Sequence, residues 1–200
     1  MSATTLIPRG PVTTEEQWSL PSRGKIAMYS LIIGESAIFT IFVVAYVFYI
    51  GKSLYGPTPQ ILEVPVLNTI CLLSSSFTIW LSERALERNK MKLFGALWAL
   101  TLALGAVFLV GTGFEWYDLI YHKGLTISTN LFGTTFYSLV GLHATHVVFG
   151  LIGLTTVLIF TLMGKVKEEH CERIQVLALY WHFVDAVWVV VFTVVYILGR

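Results

Sequence analysis

The sequence predicts an all-α membrane protein, a bundle of five transmembrane helices. Of its 200 residues, 56% are apolar and only 12% are charged, and the mean hydropathy is +0.74. A soluble domain is about a quarter charged, so this composition is typical of a membrane protein. The charged residues are also clustered, and five long apolar runs separate the clusters. Each run is close to the roughly 20 residues that a helix needs to cross the hydrocarbon core.

The apolar runs set the predicted spans in chain order. Because they are continuous, they exclude a membrane β-barrel, whose strands alternate apolar and polar residues. The fourth run is long enough to tilt or to project beyond the bilayer. Residues 1–24 contain no apolar stretch of the kind a signal peptide requires, so we expect a polar cytoplasmic tail before one membrane domain over residues 25–200. The predicted spans cover residues 26–50, 64–81, 93–114, 131–163 and 174–198.

The basic residues predict the orientation of the bundle. Ten lie on the side that holds the N-terminus and three on the opposite side. Since basic loops resist translocation, we expect a cytoplasmic N-terminus and an external C-terminus. The net charge of +1 gives no basic surface for nucleic acid, so the expected contacts are lipid and other helices. The ten residues are Arg9, Arg23, Lys25, Arg84, Arg88, Lys90, Lys92, Lys165, Lys167 and Arg173, against Lys52, Lys123 and Arg200.

Small and weakly polar residues recur along the second and fourth predicted spans. Such residues let helix backbones approach closely in lipid, where no hydrophobic effect drives helix association. We therefore predict that they mark helix-packing faces. These residues are Asn68, Ser75, Gly141, Gly150 and Gly153.

Ionisable side chains inside the predicted spans are the candidate functional residues. Each costs roughly 2.5–3.5 kcal/mol at the bilayer centre, so each must face protein, water or lipid headgroups. Glu35 has no Lys or Arg between Lys25 and Lys52, which favours a buried, protonated carboxyl over a carboxylate. A proton relay and an anchor for lipid or a neighbouring subunit remain open for it. The others are Glu115, His143, His146, His182 and Asp185, for which we predict a polar network or contacts with lipid headgroups.

The histidines leave a second class of function open. His143 or His146 together with His182 could supply the two imidazoles of a bis-histidine haem, as in an independent membrane cytochrome b. The i, i+3 spacing of His143 with His146, and of His182 with Asp185, equally favours buried hydrogen-bonded sets. A small proton-coupled transporter is a further alternative. Cys71 and Cys171 fall in different segments and form no metal motif.

Several motifs resemble subunit III of haem-copper terminal oxidases. The segment Tyr180–Trp188 (YWHFVDAVW) is similar to the final-helix signature of that family, and Gly141–His146 (GLHATH) is similar to its histidine pair. The matching motifs occur in the family's order and cover about residues 25–200. The remaining matches are Phe114–Trp116, Asn68–Thr69 with Ser74–Ser76, and Gly34–Glu35.

The resemblance implies a subunit without redox centres in a complex that reduces oxygen to water and conserves energy as a proton gradient. Haem and copper would reside in subunits I and II, and this chain would bind no metal. Glu35 falls on the family's carbodiimide-reactive carboxylate. The implied partners are subunit I as the main contact, subunit II, optionally subunit IV, and structural phospholipid, in a prokaryotic cytoplasmic membrane. The implied roles are assembly and sustained proton uptake.

The chain resembles the five-span form of the family, which lacks two N-terminal helices of the longer form. Those helices form one wall of a lipid cleft, so the cleft does not transfer intact to this chain. Cytochrome c and quinol, the alternative electron donors, are bound by other subunits and are not distinguished by these residues.

Overall fold

Five α-helices make up most of the part of the chain that the structure describes. The computed structural model describes residues 22–53, 55–166 and 170–199, and these residues contain no β-strand. The predicted all-α five-helix class is confirmed. Residues 1–21 of the predicted tail, together with Lys167 and Arg200, lie outside the described residues. The helices are α1 (Arg23–Tyr49), α2 (Val66–Glu87), α3 (Met91–Tyr121), α4 (Leu131–Leu162) and α5 (Cys171–Phe192), which continues as a π-helical segment over Thr193–Leu198.

Local capping sets several helix ends. The backbone N–H of Gly133 donates to Asn130 Oδ1 at 2.8 Å, which satisfies a free donor at the start of α4. α2 ends at a tight turn in which Asn89 adopts a φ of 54°, a left-handed conformation that asparagine tolerates better than most residues. The N–H of Lys90 donates to the carbonyl of Ala85 at 2.9 Å and closes that turn. α3 therefore returns antiparallel to α2.

α2 differs from the other four helices in composition. α1, α3, α4 and α5 with its π-helical segment are long and apolar enough to cross a membrane, whereas α2 does not meet that criterion. Its 22 residues would extend about 33 Å, which is sufficient length. It also packs alongside both α3 and α5. Several polar side chains of α2 face these two helices, among them Ser75, Ser76 and Thr78.

The side chain of Trp181 lies at the centre of the bundle and contacts three other helices. It is fully buried, and its ring lies directly against the backbones of α3 and α4. A Cβ atom added at Gly105 would lie 2.8 Å from this ring, and one added at Gly150 would lie 2.7 Å from it. Its Nε1 donates to Ser75 Oγ at 2.8 Å. One tryptophan of α5 therefore contacts α2, α3 and α4 at the same level.

The other residues predicted to pack helices also lie at close contacts. A Cβ at Gly153 would come within 2.8 Å of Leu177, and one at Gly141 within 3.4 Å of the Trp116 ring. The side chain of Asn68 lies against the backbone of Gly111, where any larger residue would overlap it. These contacts bring α4 against α5 and α3, and α2 against α3.

Candidate functional site

The six ionisable residues singled out from the sequence lie at four separate places in the bundle. Two places pair a histidine with a carboxylic acid, one between α1 and α4 and one between α2 and α5. A third joins an acid to a tyrosine near one end, and the fourth is a histidine surrounded by aromatic rings. Glu35 contacts His146, His182 and Asp185 share a serine, Glu115 contacts Tyr196, and His143 lies apart.

Glu35 and His146 form a direct pair between α1 and α4. Glu35 Oε2 lies 3.0 Å from His146 Nε2, and the two side chains are 23% and 12% exposed. His146 Nδ1 lies 2.8 Å from the backbone oxygen of Leu142. A carbonyl only accepts, so Nδ1 carries a proton and donates it. Either Nε2 or the Glu35 carboxyl can be the donor in the contact between them.

Sequence reasoning did not find the partner of Glu35. It considered Lys and Arg near Glu35 in the chain, whereas the observed partner is a histidine 111 residues away. The ring of Phe39 packs against His146 with centroids 5.0 Å apart, which shields one side of the pair. No local pattern connects α1 to α4, so only the packing of the helices reveals this contact.

A second histidine–acid combination lies between α2 and α5, with a serine in the middle. Ser76 Oγ lies 3.1 Å from His182 Nδ1 and donates a hydrogen bond to Asp185 Oδ2. Asp185 is only 3% exposed, and its Oδ1 has no hydrogen-bond partner among the described residues. On the other side of the ring, His182 Nε2 lies 4.0 Å from Glu83 Oε2. We call Glu83, Ser76, His182 and Asp185 the α2–α5 seam.

Two members of the α2–α5 seam were not candidates from the sequence. Ser76 belongs to the serine run that resembles the family motif, but a serine in a helix most often bonds only its own backbone. Glu83 lies beyond residue 81, where the second predicted span ends, and so was not considered as a membrane residue. The α2 helix extends to Glu87, which places Glu83 one turn inside it.

The acid Glu115 lies near the end of the bundle where α3 ends. Its Oε1 accepts a hydrogen bond from Tyr196 at 2.8 Å, and Tyr196 belongs to the π-helical segment. Such segments occur frequently at functional sites. A cavity of about 260 Å³ beside Glu115 is also lined by Asn68 and Lys123.

Lys123 lies just beyond α3 and holds the connection between α1 and α2. Its Nζ donates to Glu63 at 2.9 Å and to the backbone oxygen of Ile61 at 3.1 Å, and it lies 3.0 Å from Asp118. Hydrogen bonds to Glu63 and Asp118 raise the pKa of the Lys123 ammonium. This end of the bundle is therefore held by exposed ion pairs rather than by buried ones.

His143 lies in the aromatic core. It is fully buried, and its ring is 4.9 Å from Trp188 and 5.8 Å from Phe108, measured between centroids. Neither ring nitrogen has a hydrogen-bond partner among the described residues. His143 therefore acts here as a packed aromatic ring and does not join the other histidines.

His146 and His182 are oriented toward side chains and a backbone carbonyl of the chain itself. His146 is held by Glu35 and Leu142, and Nδ1 of His182 is held by Ser76. Within the described ranges, no three His, Cys, Asp or Glu residues are grouped closely enough to hold a metal ion. The fold and the site thus define an all-helical membrane protein in which two histidine–acid combinations lie between helices.

Comparison with known proteins identifies the family. The cytochrome c oxidase subunit III family model matches residues 24–200. The chain is 32% identical over 195 residues to cytochrome c oxidase subunit 3 of Alkalihalophilus pseudofirmus, covering 96% of this chain and 95% of that protein. It is 34% identical over 191 residues to the Bacillus subtilis protein of the same name, with coverage of 92% and 91%. A probable quinol oxidase subunit 3 of Staphylococcus saprophyticus is 32% identical over 155 residues, with coverage of 76% and 74%.

The chain therefore belongs to the cytochrome c oxidase subunit III family. It is a non-catalytic subunit of a haem-copper oxidase, the complex that reduces oxygen in respiration. An independent cytochrome b and a proton-coupled transporter are not favoured.

Proposed function

We propose that this chain sustains the turnover of a haem-copper oxidase by docking on subunit I in a bacterial cytoplasmic membrane, with structural phospholipid at the contact. Subunit II, and subunit IV where the complex has one, are further partners. The oxidase needs haem and copper, which we assign to subunits I and II. This chain contributes helices, buried acids and an apolar surface.

The exposed face of α1 supports docking, and the Glu35–His146 pair is the observation that carries the proposal. α1 packs on α4 and α5, and only Phe39 and Tyr46 of its residues are buried. A carboxyl that is 23% exposed on such a helix would face hydrocarbon in an isolated chain. Because lipid tails offer no hydrogen bonds, a neighbouring subunit is the better cover for Glu35.

The charges support the proposed orientation. The start of α1, the turn between α2 and α3, and the start of α5 lie at one end of the bundle, where Gln175 Nε2 donates to Glu87 at 3.2 Å. Because basic residues concentrate at this end, we assign it to the cytoplasm. The described basic residues there are Arg23, Lys25, Arg84, Arg88, Lys90, Lys92, Lys165 and Arg173.

Depletion of this subunit from the purified oxidase tests the proposal. Oxygen consumption is followed over many turnovers for the intact complex, the depleted complex, and the depleted complex with the wild-type chain added back. We expect similar initial rates, an earlier loss of activity in the depleted enzyme, and recovery on add-back. A depleted enzyme that holds its rate as long as the intact enzyme would contradict the proposal.

A further inference from the structure

We propose that the α2–α5 seam is a one-ended proton relay, in which Asp185 exchanges its proton with solution at the basic end of the bundle through Ser76, His182 and Glu83. This goes beyond the proposed support of turnover and does not depend on it. The relay is a property of this chain's own side chains.

The central step is a proton transfer through the Ser76 hydroxyl. A hydroxyl can donate and accept at the same time, so Ser76 can join His182 Nδ1, at 3.1 Å, to Asp185 Oδ2. In one arrangement the protonated Nδ1 donates to Ser76, and Ser76 donates to the carboxylate. In the other, the carboxylic acid donates to Ser76, and Ser76 donates to a bare Nδ1.

The two arrangements contain the same number of protons. Going from the first to the second breaks the Nδ1–H bond of His182 and the O–H bond of Ser76. A new O–H bond forms on Ser76 and another on Asp185 Oδ2. An imidazolium and a carboxylate thereby become a neutral imidazole and a neutral acid, with no other reactant.

Glu83 provides the connection to solution. It lies one turn before the end of α2, and its Oε2 is 4.0 Å from His182 Nε2. Its side chain is 19% exposed and that of His182 is 36% exposed, so the relay is accessible at both residues. That separation is longer than a hydrogen bond, and a single water or a small side-chain rotation closes it. A proton taken up at Glu83 thus reaches Nε2 of His182, the nitrogen opposite the one that faces Ser76.

The relay stops at Asp185. Its second oxygen has no partner among the described residues, and the preceding residue of α5, Val184, is a buried apolar side chain. Farther along α5, the Nε1 of Trp188 already donates to Thr69 at 3.2 Å. An unpaired carboxylate is costly in such surroundings, so the resting proton belongs on Asp185. Among the described residues, no hydrogen bond continues the relay beyond Asp185.

Infrared spectroscopy of the oxidase complex tests the relay. The complex is transferred from H₂O to D₂O, and the deuterium shift of the protonated-carboxyl C=O band is followed in time. Asp185→Asn assigns the band. Ser76→Ala removes the hydroxyl of the relay. Ser82→Ala is the matched control, because Ser82 is buried in the same helix and its hydroxyl donates to the backbone oxygen of Phe94, at 3.2 Å, and to no side chain among the described residues.

We expect the Asp185 band to exchange slower by about tenfold or more in Ser76→Ala, and at the wild-type rate in Ser82→Ala. Ser76→Thr, which keeps the hydroxyl, should restore the rate. If Ser76→Ala does not assemble, Glu83→Gln at the exposed end makes the same comparison, and slowed exchange is again expected. Equal rates in the relay and control variants, or no band lost in Asp185→Asn, would overturn the proposal.

Discussion

The two histidine–acid combinations of this bundle differ in what the second ring nitrogen contacts. His146 uses Nδ1 to donate to the backbone oxygen of Leu142, so only Nε2 is available to Glu35. His182 faces side chains on both sides, with Nδ1 toward Ser76 and Nε2 toward Glu83. A backbone bond fixes the tautomer of the first imidazole, whereas the second can pass a proton from one nitrogen to the other. We conclude that the first combination connects α1 to α4, whereas the second can transfer a proton between Glu83 and Asp185.

The same difference appears in the composition of the helices. α1 carries one acid and is otherwise apolar enough to cross a membrane, whereas α2 is not. The hydroxyls of Ser75, Ser76 and Thr69 bond to α5, and that of Thr78 lies 2.7 Å from Thr101 of α3. α2 is thus less apolar than α1, and it is connected to α3 and α5 by side-chain hydrogen bonds.

The largest effect is expected where charge is introduced at the direct pair. Glu35→Lys places an ammonium beside His146 with no acid to compensate it, at a cost of about 3 kcal/mol. Glu35→Gln keeps the size of the side chain, and its amide N–H can donate to Nε2. We expect Glu35→Lys to lower the yield of assembled complex on size-exclusion chromatography, with Glu35→Gln close to wild type. Equal losses in both variants would show that the carboxyl itself is required.

Gly150→Ala should disturb the α2–α5 side without touching Glu35. The added methyl group would overlap the Trp181 ring, which also bonds Ser75, and overpacking of this kind costs about 1–3 kcal/mol. Gly34→Ala is the matched control, because its Cβ would meet nothing within 4 Å. Thermal unfolding of the assembled variants measures the difference. A lower melting temperature for Gly34→Ala than for Gly150→Ala would contradict the packing described here.

Replacing each acid by its amide should affect stability differently in the two regions, with a larger effect for Asp185→Asn than for Glu35→Gln. Asp185 is 3% exposed whereas the Glu35 side chain is 23% exposed, so Asp185→Asn has less freedom to find new partners than Glu35→Gln. We expect Asp185→Asn to lower stability by about 1–2 kcal/mol, and Glu35→Gln by less. Melting temperatures of the two assembled variants test this. Matching values would argue against a special role of the buried acid.

The smallest effect is expected outside the bilayer, at Lys123. Its raised pKa means that its ion pairs stabilise the fold below the unfolded-state pKa of lysine, and that this contribution is lost as pH rises through the raised value. Because Asp118 and Glu63 are exposed, Lys123→Met should cost at most about 1 kcal/mol. Added salt should shrink this cost and leave the effects at Glu35 and Asp185 unchanged. If Lys123→Met lowered the melting temperature by the same amount at low and high salt, the distinction between exposed ion pairs and buried contacts would be contradicted.

The sequence predicted the helical fold better than it predicted the contacts of the site. Apolar runs between charge clusters are local patterns, and they were sufficient to predict five helices. The i, i+3 spacing of His182 and Asp185 correctly indicated a shared helical face, since both contact Ser76. Glu35 and His146 lie on different helices far apart in the chain, and no spacing within one helix connects them.

Other parts of the site depended on where a helix ends and on how rings pack. Glu83 was missed because the drop in hydropathy after residue 81 precedes the true end of α2 at Glu87. His143 belongs to the same motif as His146, yet it packs against Trp188 and Phe108. Two histidines close together on one helix can therefore have different surroundings: His146 contacts an acid, and His143 contacts aromatic rings. The sequence of α4 alone cannot distinguish these positions.

The nitrogen-15 NMR spectrum of histidine-labelled complex in lipid tests the comparison most directly. Bare and protonated ring nitrogens give distinct resonances, and alanine variants at His146 and His182 assign them. We predict a protonated Nδ1 on His146, because it donates to the Leu142 carbonyl, and a bare Nδ1 on His182, because it accepts from Ser76 when the resting proton lies on Asp185. Identical behaviour of the two imidazoles, or a bare Nδ1 on His146, would contradict the distinction between a fixed pair and a relay.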